Sequence, residues 1–446
     1  MKLAQGLKLS GGEAVAFVGA GGKTSAMFAL ADELPPPVLL TTTTHLGVWQ
    51  AQMADRHHVI TSPEAFQDSI DVDVKTVLIT GPVEGNERLT GLGGPTLQAI
   101  HEYCTIYDFS LLIEADGARQ RPLKAPADYE PVIPAWVDRV VVIAGLGGLG
   151  RSLDADTVHR PETFANLADI QLGDDIHVDI LVKVLGSTLG GLKGIPEGAA
   201  RSLFLNQAEG EVRMAQGARI ARELCDPYDR VLIGSLQHPG HDGPIFSVHS
   251  RAAGIILAAG GSERLGQPKQ LLDWGGKPFV VQVAETALTA GLTPIYVVTG
   301  SDHVQVEDAL ESLPVECVYN PNWAEGQSTS MQAGLDALPQ HCDRVMYLLS
   351  DQPQISPLLI RQLIERHNVQ RTPITAPMVG GRRGNPVLFG RETFKALKQI
   401  HGDQGGRSVF SKFKVDYLTW TDRRDAMDVD QEGDIVLLRG AFFDQA

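Results

Sequence analysis

Along the 446-residue chain, short β-branched runs alternate with longer stretches whose apolar positions recur every three or four residues. That rhythm is the one expected of a parallel sheet with crossover helices. In the first half it predicts strands at residues 13–20, 38–43, 76–80, 110–115, 139–144, 202–205 and 230–235. Helices are predicted there at 24–34, 96–104 and 212–225. The rhythm then restarts, with strands at 254–258, 295–299, 315–319, 344–349 and 374–378 and helices at 279–290, 304–313, 328–338 and 358–367. Between the halves, residues 236–251 contain Pro239, Gly240, Gly243 and Pro244 and read as a linker. The expectation is an α/β protein of two Rossmann-like, three-layer domains, 1–245 and 252–446, with no internal repeat.

Composition changes this picture only by exclusion. With 43% hydrophobic and 21% charged residues, the chain sits in the ordinary globular range. No apolar run approaches the ~18 residues that span a bilayer, and residues 1–10 lack the apolar core of a secretion signal. The four cysteines are scattered without a CxxC pair and read as reduced packing residues. A cytoplasmic protein without a membrane partner is expected. The net charge of −16 excludes the broad basic surface that nucleic-acid binding demands. Any polyphosphate must therefore be met by a local positive field, from a few Arg or Lys, backbone N–H groups and a metal.

Two segments of the second half supply such a field. Leu257-Ala258-Ala259-Gly260-Gly261 leaves the first predicted strand of that half and runs through Arg264 and Gly266 to Lys269. A strand entering a glycine turn puts backbone N–H groups around an anion, and Arg264 and Lys269 add charge beside it. The spacing is not that of a Walker loop. Val345–Pro353 then delivers Asp351 at the end of an apolar strand, where ligands bind in open α/β sheets. A carboxylate there suits Mg²⁺, which prefers carboxylate and phosphate oxygens.

With Asn320–Gly326, Ser350–Pro353, Gly381–Phe389 and Gly402–Ser408, these segments resemble molybdenum cofactor cytidylyltransferases from about Gly254 to Asp434. The resemblance implies a nucleotidyltransferase fold like that of nucleotide-diphospho-sugar transferases. It implies CTP on the 257–269 loop, Mg²⁺ at Asp351, and molybdenum cofactor as the second substrate. Contacts to that cofactor are implied at Arg382, Arg383, Gly384, Asn385, Pro386, Asp403 and Arg407. Asp428 and Asp430 resemble the family's acidic ending and imply a second metal ligand at Asp430, although Gln431-Glu432 replaces its Thr-Pro. Asn385 stands where many relatives have His.

In such a reaction two anions must meet, so Arg264, Lys269 and Mg²⁺ would offset their repulsion and stabilise the leaving pyrophosphate. A phosphate nucleophile is already ionised, so no general base is required. Physics does not assign the base: a guanylyltransferase, a sugar-phosphate enzyme, and a non-catalytic carrier of the cofactor all remain open.

The first half carries a weaker phosphate-loop pattern. Gly19, Gly21, Gly22, Lys23 and Thr24 lie between a strand and a helix, with Phe17 in the slot of the first Walker glycine. Glu114 and Asp116 end a later strand, and Asn206 to Glu209 form a degenerate base-recognition signature. In this order they suggest a P-loop-like domain with its own nucleotide site. Thr41–Thr44 and His45, after another strand end, either line that pocket or satisfy backbone groups. Together with Glu114–Gly117, Arg121–Pro126 and Glu130–Pro134, the loop and the threonine run resemble the YqeC family across most of residues 10–240. The resemblance implies an accessory role in maturing selenium-dependent molybdenum hydroxylases, with an apo-hydroxylase as partner.

Overall fold

The computed structural model describes residues 1–69, 72–85, 87–261, 267–339 and 342–426. The chain divides into two compact units, Met1–Ser250 and Arg251–Ala446.

The first unit is built on a nine-stranded sheet: β1 (Ala14–Gly19), β2 (Val38–Thr42), β3 (Arg56–Val59), β4 (Thr76–Thr80), β5 (Ser110–Glu114), β6 (Arg139–Gly145), β7 (Ala200–Asn206), β8 (Arg230–Gly234) and β9 (Ile245–His249). Their spatial order is β9-β8-β7-β6-β1-β5-β2-β4-β3. All neighbours are parallel except β8 and β9. The central strands are apolar on both faces, as strands covered on both sides must be. Ala14, Ala16 and Val18 of β1 join one core with helices Gly94–Tyr107, Pro161–Ala168, Val178–Leu185 and Gly210–Leu224. Val15 and Phe17 join the other, with Leu3–Leu7 and Lys23–Glu33. Strand order reverses at β1, with β5 on one side and β6 on the other, so a crevice opens above their carboxyl ends.

The predicted linker at 236–251 is corrected here. Ile245 and Val248 are buried, and β9 pairs antiparallel with β8, so this segment completes the first sheet. Pro239, Gly240, Gly243 and Pro244 instead form the turn before it, closed by reciprocal Gly240 and Gly243 backbone hydrogen bonds.

The second unit has an eight-stranded sheet: β10 (Ala253–Ala258), β11 (Ile295–Thr299), β12 (Glu316–Tyr319), β13 (Arg344–Leu349), β14 (Ile374–Val379), β15 (Arg382–Arg383), β16 (Val387–Gly390) and β17 (Val415–Trp420). The order is β12-β11-β10-β13-β16-β14-β15, with β17 parallel to β14. Strands β12, β11, β10 and β13 are parallel, and β16 runs against both β13 and β14. Helices Phe279–Thr289, His303–Leu310 and Pro357–Gln370 cover one face; Gln327–Asp336 and Phe394–Leu397 cover the other. The register pairs Leu257 with Leu349, so the loops leaving β10 and β13 emerge side by side. No described helix is long and apolar enough to cross a membrane, and none of the four cysteines is in a disulfide.

Tyr228 tests how the helical layer of the first unit is tied down. It is fully buried, and its hydroxyl donates to the Leu185 carbonyl at 2.9 Å. Tyr228→Phe strands that acceptor away from water, which costs about 1–2 kcal/mol. The expected result is a lower melting temperature for the transition of residues 1–250, read by calorimetry.

Candidate functional site

In the second unit, β10 delivers Leu257 and Ala258 to a turn through Ala259, Gly260 and Gly261. The turn is braced by Gln270, a buried side chain whose amide donates to the carbonyls of Ala258 and Gly260, each at 2.9 Å. Gln270 follows Lys269 on one short 3₁₀ turn, so the brace also fixes where Lys269 starts. The Lys269 Nζ then donates to Asp351 Oδ2 at 2.8 Å. Both side chains are mostly covered but reach solvent. The glycine turn, Lys269 and Asp351 thus meet where β10 and β13 end. Arg264, Gly266, Asp428 and Asp430 lie outside the described residues.

The segments read as cofactor contacts are also drawn together. The exposed Arg383 guanidinium lies 5.8 Å from the Phe410 ring centre and 5.7 Å from that of Tyr417. Arg407 donates to the Arg383 carbonyl at 3.2 Å, Gly384 N–H to Pro377, and Arg382 and Asp403 are exposed. Asn385-Pro386 is a cis peptide on this ridge. Ser328 N–H donates to the Gly402 carbonyl at 3.0 Å. At Gly326, with φ +116°, a Cβ would stand 2.3 Å from the Gly402 carbonyl carbon, so only glycine permits that approach.

In the first unit the glycine loop leaves β1 at the reversal point. Lys23 opens the helix Lys23–Glu33 and is buried, its Nζ donating to the Gly19 carbonyl at 2.7 Å and lying 3.2 Å from Asp116. Thr24 Oγ1 donates to Glu114 Oε2 at 2.6 Å. Burial raises the pKa of Glu114, against Lys23 and the Thr24 hydrogen bond, which lower it. A hydroxyl and a carboxylate held together beside a loop lysine form a donor set that fits Mg²⁺, completed by phosphate oxygens and water. Among the described residues no group of three or more His, Cys, Asp or Glu is placed to hold a metal by itself.

Asn206 and Glu209, read as base-recognition residues, are engaged in the protein. The Asn206 amide donates to the Gly21 carbonyl at 2.7 Å and accepts from Leu236 N–H. A Cβ on Gly22 would stand 2.6 Å from that amide, and its φ of +124° also demands glycine. Glu209 accepts from Ser235 and Arg213. Thr42 and Thr43 bond to backbone carbonyls, while Thr44 and His45 line a cleft of roughly 1320 Å³ with Gly21–Thr24 and Glu114.

What sequence reasoning missed is the chain of charges behind the loop. Asp116 accepts from Gly19 N–H at 3.0 Å and from Lys124 at 2.8 Å. Lys124 donates onward to Glu130 at 2.8 Å, and Arg160 grips Glu130 with bonds of 2.7 and 3.2 Å. Burial alone would raise the pKa of Glu130, but the hydrogen bonds and charges of Arg160 and Lys124 outweigh it and pull it down to about 2. Gln270 was missed likewise. Its signal was a polar residue directly after a candidate lysine and ahead of an apolar pair.

Comparison with known proteins now separates the units. A MobA-like NTP transferase domain matches residues 254–417, and the YqeC protein family matches residues 15–162. Nicotine blue oxidoreductase from Paenarthrobacter nicotinovorans is 32% identical over 188 residues, spanning 40% of this chain and 91% of that protein. The chain belongs to the MobA-like NTP transferases and carries a YqeC domain ahead of the transferase. YqeC of Escherichia coli, itself uncharacterized, is 29% identical over 241 residues, spanning 50% of this chain and 88% of that one. Among solved structures, Rv0371c from Mycobacterium tuberculosis is 27% identical and covers 42% of this chain and 98% of its own, at a TM-score of 0.38. The Lys269–Asp351 pair therefore lies within the NTP transferase domain, and the Lys23 loop and the Asp116–Glu130 charges within the YqeC domain.

Glu130 offers a pH test of the charge chain. Its pKa is lowered in the fold, so its stabilisation is complete above the unfolded value near 4.5 and is lost as pH falls toward about 2. Stability of the Glu130→Gln variant, read by urea denaturation, should vary less between pH 4.5 and 3 than that of the parent chain.

Proposed function

We propose that residues 251–446 transfer CMP from CTP to molybdenum cofactor, forming the cytosine dinucleotide and releasing pyrophosphate, for insertion into an apo molybdenum hydroxylase. The observation that carries this reading is the Lys269–Asp351 pair at 2.8 Å, beside a glycine turn braced by Gln270. Asp351 would hold Mg²⁺, which when bound supplies charge neutralisation for the phosphates. Released from Asp351, Lys269 turns to the β- and γ-phosphates. A phosphate oxygen of the acceptor attacks the α-phosphorus, the α–β bridging bond breaks, and its electron pair leaves with pyrophosphate. Positioning and charge stabilisation supply the rate, and no proton needs to move. The choice of CTP rests on the likeness of residues 257–269 to cytidylyltransferases.

The test incubates the full chain with molybdenum cofactor, Mg²⁺ and each of the four NTPs and reads pyrophosphate and the dinucleotide formed. CTP should be used best. Use of GTP instead would make the protein a guanylyltransferase, and no dinucleotide with any NTP would favour a carrier. Asp351→Asn should lower turnover about 10²-fold or more, and Lys269→Ala should raise the KM for CTP while cofactor affinity changes little.

For residues 1–250 we infer a P-loop-like site for a purine nucleotide with Mg²⁺, supported by Lys23 at the helix start and Thr24 against Glu114. Charge-assisted hydrogen bonds of about 1.5–3 kcal/mol set the scale of losing the lysine. Lys23→Ala should therefore weaken ATP or GTP binding by roughly tenfold to a hundredfold, read by calorimetry on the full chain, and leave cytidylyl transfer unchanged.

A further inference from the structure

Two glycines of the transferase domain leave room for one ring. A Cβ on Gly261, in the turn after β10, would stand 3.1 Å from both Cη2 and Cζ3 of Trp323. A Cβ on Gly300, just after β11, would stand 2.8 Å from Trp323 Cγ and 2.4 Å from the Ala259 carbonyl oxygen. The half-buried indole therefore lies across two neighbouring strand ends, with its six-membered edge on the glycine turn and its attachment point at Gly300. Contact that close makes the ring a wall for the turn, because rigid aromatic surface packed on backbone leaves no space to shift into. Gln270 holds the same turn through the Ala258 and Gly260 carbonyls. Gly260 and Gly261 carry no side chain to fix their own backbone, so these two neighbours do it.

Trp323 is itself held firmly. It opens the 3₁₀ turn Trp323–Glu325, which follows the buried Asn320. The Asn320 amide donates to Thr329 Oγ1 at 2.9 Å and to Ser330 Oγ at 3.0 Å, and its Oδ1 accepts from Asn322 N–H at 3.0 Å. Both hydroxyls belong to the helix Gln327–Asp336, so the turn bearing Trp323 is pinned to that helix. Past the turn, Gly326 and Ser328 meet Gly402. Gln332 of the same helix donates to the carbonyls of Ile400 at 2.8 Å and Lys398 at 3.2 Å. One segment thus serves two sides. Trp323 reaches the glycine turn, while Gly326, Ser328 and Gln332 hold the stretch 398–402 that leads into Asp403 and Arg407.

We propose that Trp323 is a positioning residue for the nucleotide: its indole fixes the glycine turn, and thereby where a triphosphate lies against Lys269 and Asp351. The ring acts through the turn and touches none of the reacting atoms. Backbone N–H groups cradle phosphates best when they are already in place, since ordering them on binding costs affinity. The stretch 398–402 has supports of its own, so it stays put when the ring is lost. The inference rests on the transferase reading of this domain.

The parent for the test is the full chain carrying Lys23→Ala, which removes the loop lysine of the first unit. It is titrated with Mg²⁺ and CTP, and separately with Mg²⁺ and GTP, by calorimetry, and assayed for dinucleotide formation. Adding Trp323→Ala, with folding checked by circular dichroism, should weaken binding of the nucleotide that the parent binds more tightly by about tenfold, and raise its KM to match. The KM for molybdenum cofactor should stay within about twofold. Trp323→Phe, whose ring fills much of the same space, should recover most of the loss. The proposal is overturned if Trp323→Ala binds nucleotide as the parent does, if both KM values rise together, or if Trp323→Phe is no better than Trp323→Ala. A parent that binds nucleotide but forms no dinucleotide sinks the transferase reading alone, and the binding titrations still decide the role of Trp323.

Discussion

A charge taken out of water must find its opposite nearby, and in this protein that requirement shapes both candidate sites. In the YqeC domain it produces a relay of alternating signs, from Lys23 through Asp116, Lys124 and Glu130 to Arg160. Removing an inner member takes one counter-charge from each buried neighbour and leaves it the other, so the relay shares the burden of each buried charge between two partners. Asp116 also holds the Gly19 N–H. The same carboxylate therefore fixes the entry to the glycine loop and the extended segment around Lys124. The arrangement orients side chains around the cleft.

The transferase domain meets the same requirement at its strand ends. Lys269 and Asp351 face each other across two parallel strand ends, and a neutral amide, Gln270, braces the turn beside them. Cover differs between the two sites: Lys124 and Asp116 are almost fully buried, whereas Lys269 and Asp351 retain some contact with water.

Much of this was legible in the sequence, for identifiable reasons. Strands such as Ala14–Gly19 and Arg344–Leu349 are apolar on both faces, and a continuous short apolar run before a glycine turn has few other readings. The loops at Gly260 and Gly22, and Asp351 at a strand end, came from the same local grammar. Less visible were elements whose identity depends on neighbours. Ile245–His249 becomes a strand only because β8 offers it an edge, and Val415–Trp420, partly exposed, takes its place from β14. Val387–Gly390 runs antiparallel inside an otherwise parallel rhythm. The partnership of Lys124 with Glu130 was hidden for a related reason. Their side chains meet only after the chain turns back past Pro126, through the turn in which Glu130 N–H donates to the Ala127 carbonyl.

The Lys269–Asp351 pair also bears on selectivity in a crowded solution. A cation already paired with a carboxylate offers less to a lone inorganic anion, because capturing that anion means giving up its bond to Asp351. A polyphosphate arriving with its own divalent cation meets no such obstacle, since it brings one charge for each member of the pair it separates. Facing each other, the two side chains would discriminate against simple salts more strongly than a lone lysine in a glycine turn.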